Sequence, residues 1–192
     1  MIEVEKKFQP TEAQLQALLQ DAVFIKEKTM HDVYYDFSDF RIMRAGNRLR
    51  KRDDGFELKA YIPTESGVRV AHEYTDDESI LKNLQINESY TSVADLVQKE
   101  MHPVCDFVNT RKEYKKDEFI VDVDSMNFGM EVVEIELQVE SKDQIPEAEQ
   151  KILQLAESFG MEVKDLQGKT ILYLQKMKPE IYQEIFGNKN KE

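Results

Sequence analysis

The sequence predicts an α+β fold in which a closed antiparallel β-barrel of about eight strands is flanked by helices. Three observations predict it. Most ordered segments alternate polar and apolar residues with period two, which puts alternate side chains on opposite faces of a strand. Several of these segments are joined by short turns, among them Asp53-Asp54-Gly55 and Lys116-Asp117, so sequence neighbours should pair antiparallel. The polar faces are nearly pure charge and sorted by sign, whereas the opposite faces are aliphatic. For any one strand the plain reading is an amphipathic sheet with its charged face in water. For the whole set that reading fails, because like charges two residues apart repel and gain nothing on an open surface. An inverted barrel, aliphatic side outward under helices and charged side toward a lumen, accounts for them together.

The elements follow in chain order. Residues 2–8, IEVEKKF, set Glu3, Glu5 and Lys7 on one face and Ile2, Val4 and Phe8 on the other. Thr11 and Gln14 read as a capping box, with Leu15, Leu18 and Leu19 following at helical spacing. Strands are expected at 31–36, 47–53, 56–62 and 68–75. Arg48, Arg50 and Arg52 share one face around Leu49, and Glu57, Lys59 and Tyr61 share another against Phe56 and Leu58. Short helices are expected at 79–86 and 91–101, burying Leu81, Leu84, Val93 and Leu96. Strands follow at 107–115, 118–124 and 132–140. In these, Asp122 and Asp124 oppose Val121 and Val123, and Glu134, Glu136 and Gln138 oppose Val133, Ile135, Leu137 and Val139. Pro146 opens a helix with the stripe Ile152, Leu153, Leu155, Phe159 and Gly160 past its end. A ninth strand candidate at 168–175 and a short helix over 179–186 complete the chain. Nothing repeats and no Pro/Gly/Ser-rich linker interrupts, so residues 1–192 read as one domain.

Composition narrows the function. With 33% charged and 41% hydrophobic residues, the chain is globular rather than disordered. A net charge of −12 disfavours nonspecific binding to nucleic acid or an anionic membrane, though a local basic cluster can still hold an anion. The single cysteine, Cys105, rules out a disulfide framework and reads as a core filler; the three histidines lack zinc-ligand spacing. The charged N-terminus has no signal-peptide apolar region, and no run approaches the roughly 20 apolar residues of a membrane helix. The expectation is a cytoplasmic monomer or weak dimer, with no nucleic-acid or membrane partner.

Buried charges without partners cost several kcal/mol per ion. The lumen is therefore expected to hold water, metal and a polyanion. Grouped carboxylates suit a hard cation such as Mg²⁺, and grouped Arg and Lys suit phosphate oxygens. Three residues keep alternative readings. Asp124 fits a turn or a ligand, Glu57 fits a simple pairing with Lys59, and Arg111 fits an ordinary exposed charge.

Glu3-x-Glu5-x-Lys7 resembles the E-x-E-x-K signature of the CYTH domain, the triphosphate tunnel metalloenzymes. HDVYYD, RLRKRDDGFELK, NTRKEY, VDVDSMNFGMEVVEIEL and GKTILYLQKMKPEIYQ resemble later family segments in the same order, from residue 2 to about 186. Within the family the likeness is closest to the animal-type thiamine triphosphatases. The resemblance implies a tunnel of about eight strands and hydrolysis of a small-molecule triphosphate. It implies Mg²⁺, with Mn²⁺ as an alternative, held by Glu3, Glu5, Asp122, Glu134 and Glu136. It implies phosphate contacts from Lys7, Arg50, Arg52, Lys59, Arg111 and Lys169, and places Tyr34 and Tyr74 at the substrate end and near the reacting phosphate. Glu134 or Glu136 is expected to orient water, and Lys59 to act beside Tyr74. Arg48 stands where the mammalian thiamine triphosphatases carry a tryptophan on the thiazolium ring, and this chain contains no Trp. Inorganic triphosphate is thus an alternative substrate. Class IV adenylyl cyclase and a noncatalytic polyphosphate- or nucleotide-binding module are the competing functions.

Overall fold

A computed structural model of the chain describes residues 2–62, 70–86, 90–162 and 166–187. Its strands are β1 (Ile2–Phe8), β2 (Val23–Asp36), β3 (Arg48–Arg52), β4 (Gly55–Ile62), β5 (Val70–Tyr74), β6 (His102–Lys116), β7 (Phe119–Met126) and β8 (Met130–Val139). Its helices are α1 (Glu12–Leu19), α2 (Arg41–Arg44), α3 (Asp77–Asn83), α4 (Val93–Glu100), α5 (Ile145–Ser158), α6 (Lys169–Met177) and α7 (Pro179–Phe186). The strands form one antiparallel sheet in the order β1-β8-β7-β6-β2-β3-β4-β5. The expected closed barrel is not what the ladder shows: among the described residues the strand order has two ends, β1 and β5. Alternation fixes which face of a strand is polar, but closure depends on strand tilt and shear, which alternation does not encode.

The chain packs as two compact units, residues 1–29, 62–70 and 109–166 in the first and 30–61, 71–108 and 167–192 in the second. In the first, Val4, Phe8, Val121, Val133, Ile135 and Leu137 line the aliphatic face and meet Leu18 of α1 and Ala148, Ile152 and Ala156 of α5. Thr11 and Gln14 make the expected capping box at the start of α1, with Gln14 N–H donating to Thr11 Oγ1 at 3.3 Å and Thr11 N–H to Gln14 Oε1 at 2.8 Å. Gly160, at φ 67°, turns the chain after α5 in a region where other residues are strained.

In the second unit, Leu49 of β3 and Leu58 of β4 pack with Ile80, Val93, Leu96 and Val97 of α3 and α4. The expected burial of Leu81 and Leu84 is partial; Ile80 is the α3 residue with no exposure. Asp76 and Ser92 cap α3 and α4 through their side chains. Asp36, fully buried, accepts the N–H groups of Phe37, Ile42 and Met43 at 2.8, 3.0 and 2.8 Å, and so ties β2 to the α2 turn. Burial raises its pKa, against the three donors.

The strand expected at 168–175 is a helix, α6. Its buried residues are Thr170, Tyr173 and Leu174, spaced i, i+3, i+4, so packing selects helical spacing over the β-branched and aromatic content that suggested a strand. β2 and β6 are longer than the expected 31–36 and 107–115. Residues 23–29 of β2 are exposed on both faces, so they carry no alternation to read. Positions 68 and 69 of the expected 68–75 strand lie outside the described residues.

Ile152 is fully buried between α5 and the aliphatic face. Ile152→Ala is expected to destabilise the fold by about 2–5 kcal/mol, read as a lowered denaturation midpoint at unchanged m-value.

Candidate functional site

In the first unit the strand register gathers the acids. β1 and β8 pair Glu5 with Glu136 and Lys7 with Glu134, and β7 and β8 pair Asp122 with Glu134. Directly opposed residues share a face, so one surface of three strands carries Glu3, Glu5, Lys7, Asp122, Asp124, Glu134 and Glu136. Glu5, Asp122, Asp124 and Glu134 are buried, Glu136 is half-buried and Glu3 exposed. Arg111, on β6 opposite Asp124, enters the same face. Lys7 Nζ lies 2.6 Å from Glu5 and 2.9 Å from Glu134. Arg111 donates from Nε and Nη2 to Asp124 at 2.8 and 2.7 Å and from Nη2 to Glu134 at 2.5 Å, and its Nη1 meets Asp122. Asn109 Nδ2 donates to Asp124 Oδ1 at 2.8 Å.

The acids outweigh these two cations. Burial, then the charges of Glu3, Asp122 and Glu134, push Glu136 up to about 9. Burial also raises Asp122, to about 6, against the pull of Arg111 and with the push of Asp124 and Glu134. Burial works against the Lys7 ammonium, but Glu134 and Glu5 outweigh it and hold its pKa above the usual lysine value.

Two groups of carboxylates, Glu3/Glu5/Glu136 and Asp122/Glu134/Glu136, each bring one oxygen per residue within 4.8 Å of the others. Asp122 Oδ1 is buried with no hydrogen-bond partner among the described residues. A buried carboxylate oxygen left unsatisfied is costly unless a cation meets it. An all-oxygen donor set with such an orphan fits a hard divalent ion, Mg²⁺ or Mn²⁺.

In the second unit the register gathers the cations. Asp32 and Tyr34 of β2 oppose Arg52 and Arg50 of β3, and Arg48 and Arg50 oppose Lys59 and Glu57 of β4. Arg52 donates from Nε and Nη2 to the two oxygens of Asp32 at 2.6 and 2.8 Å. Arg50 donates from the same two nitrogens to Glu57 Oε2 at 2.9 and 2.5 Å, and also to the Tyr34 hydroxyl. Burial, against the pull of Arg50, raises the Tyr34 pKa. Tyr34 is buried and stacks on Phe107, with ring centroids 5.7 Å apart. Tyr35 points the other way, onto the apolar cluster.

The remaining expected residues take varied places. Arg48 Nε donates to Thr170 Oγ1 at 2.8 Å. Lys59 Nζ lies 3.4 Å from Glu73, while Tyr74, the residue expected beside it, packs against the apolar cluster of Leu49 and Leu58. Glu57 pairs with Arg50 rather than Lys59, because Arg50 is its cross-strand partner. Lys169 is the first residue of α6, not part of a strand. Cys105 is buried, and burial pushes its thiol up to about 12. Asp32, Asn109 and Thr170 were missed. Asp32 and Asn109 share strand parity with Tyr34 and Arg111, the two residues the family resemblance singles out, so alternation along 31–36 and 107–115 puts them on the same faces. Thr170 had no such signal, because its segment read as a strand.

The sequence matches the CYTH domain over residues 1–170. It is 32% identical to human thiamine-triphosphatase over 96% of this chain and 89% of that one, and 30% identical to the Macaca fascicularis thiamine-triphosphatase with the same coverage. Among solved structures, a Pyrococcus horikoshii protein matches with a TM-score of 0.64 and 22% identity over 90% of this chain and 97% of that one. A Hippeastrum protein, described as a "putative adenylyl cyclase" that reveals a dominant triphosphatase activity, matches with a TM-score of 0.58 and 17% identity over 93% of this chain and 97% of that one. These two likenesses show the fold.

Glu136 links charge to stability. Its folded pKa, about 9, lies above its ordinary 4.5, so the folded state holds a proton that the unfolded chain releases. Folding is unpenalised below the ordinary value and loses stability as pH rises toward 9. Without divalent metal, the melting temperature should fall from pH 5 to pH 9. Glu136→Gln should flatten the fall, so that the variant melts several degrees higher at pH 9, at about 2–4 °C per kcal/mol. Parallel curves for the two proteins would contradict the assignment.

Proposed function

The chain belongs to the CYTH family, whose members hydrolyse triphosphates or act as adenylyl cyclases, and from that premise we propose that it is a Mg²⁺-dependent hydrolase. Its substrate is thiamine triphosphate or inorganic triphosphate, cleaved at the terminal phosphate. The observation that carries the reading is the acid face of β1, β7 and β8: five carboxylates in two oxygen-donor groups sharing Glu136, with an orphaned oxygen on Asp122. Anion binding alone has no use for such a set.

Glu3, Glu5 and Glu136 would hold one ion and Asp122, Glu134 and Glu136 a second. When bound, Mg²⁺ supplies charge neutralisation and polarises phosphate oxygens. The chain's own residues do the rest. In the first unit Lys7 and Arg111, and in the second Arg50, Arg52, Lys59 and Lys169, are the cations suited to bind phosphoryl oxygens and stabilise the charge that develops on them. Glu134 or Glu136 accepts a hydrogen bond from the attacking water and orients it in line. Phosphoryl transfer depends mostly on such positioning and electrostatics, so no covalent nucleophile is needed. Arg48 opposes Lys59 across β3 and β4, so the end of the cationic face favours a further anionic group over a cationic ring.

Phosphate release from a panel of triphosphates, with and without Mg²⁺, tests the reading. Expected is Mg²⁺-dependent orthophosphate from inorganic or thiamine triphosphate. Pyrophosphate from ATP would instead indicate the cyclase, and tight binding without turnover a noncatalytic module. Glu3 is exposed, so Glu3→Gln should leave folding intact. It should raise the Mg²⁺ concentration for half-maximal activity by roughly tenfold or more. An unchanged Mg²⁺ requirement would remove Glu3 from the ligand set.

A further inference from the structure

Three arginines on the charged faces are held in the same way. Arg52 on Asp32, Arg111 on Asp124 and Arg50 on Glu57 each use the Nε/Nη2 edge of the guanidinium, at donor–acceptor distances between 2.5 and 2.9 Å. Asp32 and Asp124 grip both nitrogens with both oxygens; Glu57 receives both on one oxygen. The device occurs independently in the two units. Asp32 and Asp124 have 1% and no exposure, so their carboxylates are spent on this contact and not on solvent.

Asp124 differs in that the rest of its arginine is taken, with Arg111 Nη1 on Asp122 and Nη2 also on Glu134. It shares a face of β7 with Asp122, two residues away. Asp122 keeps a buried oxygen without a hydrogen-bond partner and belongs to a metal-competent group. Asp124 Oδ1 accepts from Asn109 Nδ2 and Arg111 Nε, and its Oδ2 accepts from Arg111 Nη2. It belongs to neither metal-competent group.

We propose that Asp32 and Glu57 are positioning residues: each fixes one arginine by its Nε/Nη2 edge and so aims the rest of that guanidinium at a phosphate oxygen. The inference rests on the triphosphate reading of the same faces. A guanidinium held at one edge loses its rotamer freedom before the ligand arrives, so binding does not have to order it. A bidentate carboxylate grip is the geometry that fixes a planar fork.

The alternative role for these acids is to offset the charge of the arginines, and the two roles predict opposite signs. Removing a negative charge beside a polyanion site should, on charge alone, tighten triphosphate binding. Losing the aim of the arginine should weaken it. The experiment compares wild type with Glu57→Gln and Asp32→Asn. KM and kcat are measured for inorganic triphosphate at saturating Mg²⁺, alongside Tm and the Arg Nε–H signals in ¹⁵N NMR. Expected is a rise in KM of about tenfold, with the partner arginine's Nε–H signal broadened or lost and the other arginine's retained. Glu57 is the more exposed of the two, at 24%, so Glu57→Gln keeps the test alive if Asp32→Asn folds poorly. An unchanged or lowered KM with only a lower Tm would overturn the proposal and leave these acids as counter-charges. A wild type that neither binds nor hydrolyses triphosphate would overturn the functional reading and the proposal with it, while retained Nε–H signals would still report the anchoring itself.

Discussion

The structure depends on one constraint: a sheet face made of ionised side chains can be withdrawn from water only where opposite charges lie within bonding distance. Each half of the chain meets it with side chains contributed by neighbouring strands. Lys7 sits between Glu5 and Glu134, and Arg111 spans Asp122, Asp124 and Glu134. Arg52 meets Asp32, and Arg50 meets Glu57 and Tyr34. Antiparallel register makes these contacts possible, because it sets residues of one parity directly opposite one another.

The compensation is uneven, and the unevenness is where chemistry enters. In the first unit the acids exceed the cations, so burial and neighbouring carboxylates raise the pKa of Glu136 and of Asp122 above the ordinary carboxyl range. An excess of buried carboxylate costs stability unless a cation joins them. Such a cluster carries its own repulsion, unlike a salt bridge that is already complete. In the second unit, the arginines engage a carboxylate through one edge of a group that has two. A ligand oxygen can then be met by nitrogen atoms whose orientation is already set.

The aliphatic faces explain why this arrangement is stable as a fold. Val4, Val133, Ile135 and Leu137 pack under α5, and Leu49 and Leu58 under α3 and α4. These strands therefore bury apolar surface on one side whatever happens on the other. A charged side chain on the opposite face can change without opening a cavity in the apolar core.

Most strands and the polarity of their faces were legible in the sequence, because they follow from a period of two and from residue type. The E-x-E-x-K start, the triple arginine and the paired carboxylates after residue 120 all lie where that period puts them. Tertiary structure decided the rest. The 169–177 segment is a helix because Thr170, Tyr173 and Leu174 have one surface to pack against. Whether a ladder closes depends on tilt and shear, not on side-chain pattern, and among the described residues this one has β1 and β5 at its ends. Asp122 and Asp124 are equivalent in sequence, and only the placement of Asn109 and Arg111 across the β6–β7 ladder leaves one with an unsatisfied oxygen and the other with none to spare. Which charge meets which is a matter of cross-strand register, and register is a distance between residues far apart in the chain.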